Sequence, residues 1–295
     1  MELAIHIRQP GELDQLDHIP DQVLDLYEGL EPKAQDWVRS IPERVERVYV
    51  GDEFCIHRMP DPDVLEAIER SAGRKGWPVT LLTPPVTDDG LERCCRLFRL
   101  LEHGTPGAEV VVNDWGLLCL LKDECPSLPV AAGRLLNKGF KDPRLAAPER
   151  AADISEDAHE LLNGCSFSTP SFRKKLREMD VRRVERDLLP YGEADMKSTD
   201  GLGSSVYFPF GYVSTGRVCW VASFKASAGR KFSPLDTCSG PCNGLLLEME
   251  GAPSSFRLFE GGNTVFYLYP PSVLGSFSTD PTYKEVRLVC QGLAI

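Results

Sequence analysis

No stretch of this chain is apolar for the about 18 residues that a membrane-spanning helix needs. Its first residues, MELAIHIRQPGELDQLDHIP, lack the basic segment and apolar run of a secretory leader. A cytoplasmic chain is therefore expected, with Leu3–Ile7 as the first strand of the fold. Three chemical signatures are missing as well: a G-x-S-x-G nucleophile elbow, an H-E-x-x-H metal-peptidase helix and a Gly-rich phosphate loop after the first strand. The histidines, His6, His18, His57, His103 and His159, fall in no ligand spacing. Basic charge is scarce: 33 Lys and Arg face 44 Asp and Glu, a formal net charge of −11. Non-specific nucleic-acid binding needs basic surface and is disfavoured, although Arg173–Arg186 holds a local basic run. There is no internal repeat and no low-complexity tract.

Cysteine, by contrast, is plentiful, with 10 in the chain. A reducing compartment argues against disulfides. Cys94, Cys95, Cys119, Cys165 and Cys290 read as small apolar core residues, and the others as candidates for metal. Cys238 and Cys242 form a C-x-x-x-C pair bent by Gly240 and Pro241, so both thiols can point at one centre. Cys219, at the end of an apolar run, can supply a third ligand. Cys55, in VYVGDEFCIHR, is the candidate for a fourth, and His57 can stand behind it. Thiolates suit zinc and iron–sulfur clusters alike, so the spacing leaves both open.

With 295 residues, 42% of them hydrophobic, the chain can bury a large core. Short apolar strands are expected at Val45–Val50, Val79–Leu82, Glu109–Asn113 and Leu128–Ala132. Helical periodicity runs through Asp21–Val38, Asp63–Ala72, Gly90–His103, Leu117–Lys122 and Ser171–Asp180. Such alternation predicts an α/β fold, a (β/α) barrel-like parallel sheet. Ala146–His159 reads as an acidic insertion, Val181–Leu189 as a further strand, and Ser205–Tyr212 and Arg217–Ser223 as aromatic-rich strands. After Gly244, strands are expected at Leu245–Met249, Ser255–Phe259, Thr264–Leu268 and Glu285–Val289. The organisation predicted is a barrel-like domain over 1–244, carrying the cysteines, and a small β-rich C-terminal extension over 245–295.

In a parallel barrel the C-terminal strand ends carry the active site. Asn113, Asp114 and Trp115 sit at one such end, and Arg134, Asn137 and Lys138 follow the next. Asp114 can act as a general base, with Arg134 and Lys138 holding an anion; alternatively it caps the following helix and pairs with Arg134. Glu185 and Asp187, two residues apart, share one face of a strand. They read as an acid/base pair or as a solvated rim.

Val112–Gly116 (VNDWG), Gly133–Lys138 (GRLLNK), Asp142–Arg144 (DPR) and the Asp236–Cys242 turn resemble the U32 peptidase, collagenase-like superfamily. The Cys55 segment and Gly262–Phe266 are similar to its UbiV/UbiU-type ubiquinone-biosynthesis branch. The resemblance implies a barrel holding a 4Fe-4S cluster on Cys55, Cys219, Cys238 and Cys242, with zinc as the alternative. It implies oxygen-independent hydroxylation of a small-molecule ubiquinone precursor or an RNA substrate, with a paralogous partner subunit. Some relatives carry the name peptidase, which leaves peptidase activity as one rival and a non-catalytic partner subunit with a structural site as another. One departure concerns the ligand set: the family's cysteine seven residues beyond Cys219 is here Ala226, so Cys165 or Cys290 are alternatives to Cys219.

Overall fold

The structure is a computed structural model that describes residues 1–141, 155, 157–158, 162, 164–189, 201–224, 226–251 and 256–291. The motif Asp142–Arg144 and nearly all of the expected insertion Ala146–His159 lie outside the described residues.

Eight parallel strands close into a barrel. They are β1 (Glu2–Ile7), β2 (Val45–Gly51), β3 (Val79–Thr83), β4 (Glu109–Val112), β5 (Val130–Ala132), β6 (Val181–Arg186), β7 (Gly203–Phe208) and β12 (Arg287–Cys290). The order around the barrel is β1-β12-β7-β6-β5-β4-β3-β2, so the last strand in sequence pairs with the first. Helices Pro62–Arg74, Asp88–His103, Trp115–Glu124 and Pro170–Glu178 connect successive strands on the outside. Strands covered on both faces must be apolar almost throughout, which is why these segments were readable.

Side-chain parity divides each strand between two cores. Leu3, Ile5, Val48, Val50, Val110 and Val112 join the larger core under the helices. Ala4, Tyr49, Leu82, Val111, Ala131, Tyr207 and Val289 form a separate cluster that fills the barrel. Charge closes the N-terminal end of that interior. Arg47 Nε donates to Glu2 at 2.8 Å, Arg287 Nε donates to Glu2 at 2.8 Å, and Thr80 Oγ1 donates to Glu109 at 2.9 Å. At this end of a parallel barrel such a network serves stability rather than chemistry.

Between β7 and β12 lies an antiparallel sheet in the order β8 (Phe210–Thr215), β11 (Thr264–Leu268), β10 (Leu258–Gly261), β9 (Leu247–Glu248). Its strands come from both sides of Gly244, and β12, from the end of the described chain, belongs to the barrel. Three expectations need correction. Arg217–Ser223 is not a strand: Trp220–Ser223 is one helical turn, entered through Cys219. Pro270-Pro271, read as a turn, opens the helix Pro271–Thr279, because proline suits the first helical turn. The single helical pattern over Asp21–Val38 is two helices, Ile19–Leu24 and Pro32–Arg39, parted by Gly29 at φ 72° and by Pro32. Among the described residues no helix is long and apolar enough to cross a membrane.

Candidate functional site: a four-cysteine cavity at the barrel mouth

Beyond the C-terminal end of β2 the chain turns sharply on its own acid. Asp52 Oδ1 accepts from the backbone N–H of Phe54 at 2.7 Å and of Cys55 at 2.8 Å. Its second oxygen accepts from Arg58 Nη1 at 3.3 Å, both side chains being buried. Arg58 Nη2 then donates to the carbonyl of Cys242 at 3.2 Å, which fixes the Cys55 segment against the C-x-x-x-C turn. His57 Nε2 meets the Leu235 carbonyl at 3.0 Å, and Asn263 Nδ2 donates to the Phe54 carbonyl at 2.9 Å. Three of these polar contacts, from Arg58, His57 and Asn263, draw together segments far apart in sequence.

Cys55, Cys219, Cys238 and Cys242 all line one cavity in the resulting enclosure, together with His57, Arg58 and Arg217. The cavity is about 30 Å³, room for water or an ion but not for an organic substrate. Cys238 Sγ accepts from the Gly240 N–H at 3.4 Å, and Cys219 Sγ from the Ala222 N–H at 3.5 Å. Gly262, at φ 68°, brings the β10–β11 turn against the site; a Cβ there would stand 3.4 Å from Cys242 Sγ. A hydrogen bond from the Cys219 thiol, helped by the Arg58 and Arg8 guanidinium groups, lowers the Cys242 thiol to about 5. The same bond, with burial, drives Cys219 upward. Burial and the nearby Asp52 push Cys55 up to about 11.

Cysteine sulfurs are soft donors of the kind that thiolate-bound metals take, and four of them line this one cavity, where Arg58 and Arg8 lend positive charge to Cys242. Arg58 Nε is buried there without a hydrogen-bond partner. Among the described residues no group of three or more His, Cys, Asp or Glu is arranged to hold a metal ion. Cys165 lines a different cavity and Cys290 is buried in the β12 wall of the barrel, so neither joins these four. Of the cysteines read as core, Cys94 and Cys290 are buried, whereas Cys95 and Cys165 are half-buried and Cys119 is exposed on the outer face of its helix. Cys125, grouped with the metal candidates, is buried in the core.

The rim residues are arranged differently from either sequence reading. Asp114 does cap the helix Trp115–Glu124, accepting from Gly116 N at 2.7 Å and Leu117 N at 3.1 Å. It does not pair with Arg134. That guanidinium, 1% exposed, donates from Nε to Glu53 at 2.8 Å and from Nη1 to Asp187 at 2.7 Å, while Nη2 also bonds Glu53. It lies 3.8 Å above the Tyr207 ring. Burial opposes its charge, but Asp187 and Glu53 more than offset this and hold its pKa well above the usual arginine range. Arg134 is therefore a saturated ionic plug of the barrel mouth, not an open anion receptor. Lys141 joins it, 2.6 Å from Asp187.

Asn113 spends its amide on the Thr83 carbonyl at 3.0 Å and the Leu135 N–H at 2.8 Å. Asn137 accepts from Phe167 N at 3.3 Å. Trp115 is partly exposed and packs edge-on against Phe172, and Lys138 is exposed. Glu185 and Asp187 do share a face, but it is the barrel interior, so the solvated-rim reading fails. Burial outweighs the attraction of Arg287 and raises Glu185 to about 7. One of its oxygens lies 3.4 Å from the Tyr49 hydroxyl and the other has no partner.

Sequence reasoning missed Arg8, Asp52, Glu53, Arg58 and Lys141. Only the adjacency of Asp52, Glu53 and Arg58 to Cys55 signalled any of them. Asp52 and Glu53 are consecutive, so one serves the cysteine cavity and the next the barrel plug.

No family model matches this chain, and no curated protein matches it. Among solved structures it is similar to a U32 peptidase at 12% identity and TM-score 0.45, over 98% of this chain and 92% of the other. It is similar to a GH18 chitinase from Cycas revoluta in complex with (GlcNAc)3 at 9% identity and TM-score 0.28, over 100% and 95%. Likeness at these values carries no argument about activity.

Proposed function

We propose that this chain is a metal protein in which Cys55, Cys219, Cys238 and Cys242 hold a 4Fe-4S cluster, and that it serves as a component of an oxygen-independent hydroxylation system. The observation that carries the metal reading is the meeting of four cysteines, from three distant segments, on one small cavity. Cysteine thiolates are the ligands of iron–sulfur clusters, with one zinc ion the alternative on the same four residues. Bound there, a cluster supplies one-electron transfer. The chain's own part is to hold the four thiols, to lend positive charge to Cys242 through Arg58 and Arg8, and to tie the Cys55 segment to the C-x-x-x-C turn through Arg58 and to the barrel through Glu53. The hydroxylation reading, on a ubiquinone-type or an RNA substrate, rests on the resemblance of Val112–Gly116, Gly133–Lys138 and the Cys55 segment.

Single Cys→Ala changes at 55, 219, 238 and 242 should each abolish stoichiometric metal, while Cys94→Ala keeps it. Full metal content in Cys242→Ala protein sinks the site; full content in Cys219→Ala alone moves the fourth ligand elsewhere. Deleting the gene should stop anaerobic accumulation of a hydroxylated quinone precursor or RNA nucleoside. Unchanged levels of both would reduce the centre to a structural one. A second reading, a non-catalytic partner subunit, is favoured by one observation: Trp220, Phe224 and Phe232, near the cysteines in sequence, are 49%, 71% and 67% exposed. Metal that survives loss of activity, together with co-purification of a paralogous subunit, would select that reading.

A further inference from the structure

A second cavity, of about 410 Å³, opens where β1 ends, between the segment that follows it and the turn after Cys242. Its volume falls in the range of small-molecule sites, and its position is where parallel barrels place theirs. Ile5, Ile7 and Ile19 give it an apolar strip among polar residues that include Gln15, His18 and Gln291. Arg8 lines it too, and Nε and Nη2 of that guanidinium are buried without a hydrogen-bond partner. Glu12, in the same wall, turns back to accept from the backbone N–H of Arg8 at 3.2 Å and of Gln9 at 2.8 Å. His6, the ring beneath, is held near 4 by burial and is neutral at pH 7. A buried guanidinium with free donors is costly until an oxyanion meets it.

We infer that this cavity binds a small organic monocarboxylate, with its carboxylate on Arg8 and its apolar body against Ile5, Ile7 and Ile19. The Arg8 guanidinium already feels the negative charge of Asp52, Cys242 and Glu12, so it matches a single added negative charge better than the two of phosphate. The turn through Asn243 and Gly244 is shared with the cysteine loop, so the ligand lies beside the metal site. Arg8 also lends charge to Cys242, so the test reads binding with and without that thiol.

Isothermal titration of the full chain with cyclohexanecarboxylate, cyclohexanecarboxamide and inorganic phosphate tests it. The carboxylate should bind at least about tenfold more tightly than the amide or phosphate, the worth of a charge-assisted hydrogen bond. Arg8→Gln should bring the carboxylate down to the level of the amide and leave the amide unchanged. Equal affinity of carboxylate and amide, or no binding of the carboxylate, overturns the inference; this comparison uses the unmodified protein and needs no folded variant. Tighter binding of phosphate overturns the ligand class. In Cys242→Ala protein the carboxylate should still bind, which separates failure of this inference from failure of the metal reading.

Discussion

Replacing Arg134 by methionine removes the guanidinium that closes the barrel mouth while keeping an unbranched apolar side chain over Tyr207. Glu53 then loses both of its bonds to Arg134, and its other oxygen already has no partner. Asp187 keeps Lys141 at 2.6 Å. Breaking one member of a buried ion cluster in this way costs about 3–5 kcal/mol, since an uncompensated carboxylate is left in the interior. For a chain of this length that corresponds to a fall in Tm of about 5–8 °C. Urea unfolding followed by far-UV circular dichroism measures it. A loss below about 1 kcal/mol, as for an exposed ion pair, would refute the placement of Arg134 as a buried hub.

Two further outcomes follow from individual residues. Glu185, raised to about 7, stays protonated in the folded chain while its unfolded counterpart ionises near 4.5. Its contribution to stability should fall by about 1.4 kcal/mol per pH unit across that window and then level off; Glu185→Gln should remove the slope, and an unchanged pH profile would contradict the burial assigned to it. Asp114→Ala should cost about 1 kcal/mol through loss of a helix cap, with metal content unchanged, whereas loss of metal or global unfolding would show a wider role.

The barrel was legible because its strands are buried on both faces and read as short apolar runs between helices. Its eighth strand was less so: Arg287–Cys290 lies far from its partners β1 and β7 in sequence, and the small sheet that precedes it made the whole tail look like an extension. The shared face of Glu185 and Asp187 followed from a period of two, but that period does not say which face is inside. Cys238 and Cys242 announced themselves by spacing, and Cys55 by its segment. Glu53 and Arg58 were signalled only by lying beside Cys55, and Arg8 by nothing, because partners such as Arg134 and Cys242 are brought to them by the fold. Arg134 was noticed, yet its partners Glu53 and Asp187 are 81 and 53 residues away, beyond any local pattern.

The central claim is that four thiols at the barrel mouth hold a cluster. Quantifying iron, acid-labile sulfide and zinc in the full chain, purified without oxygen, tests it most directly. The account predicts about four iron and four sulfide per chain. One zinc per chain with no sulfide, or protein free of both metals, would contradict it.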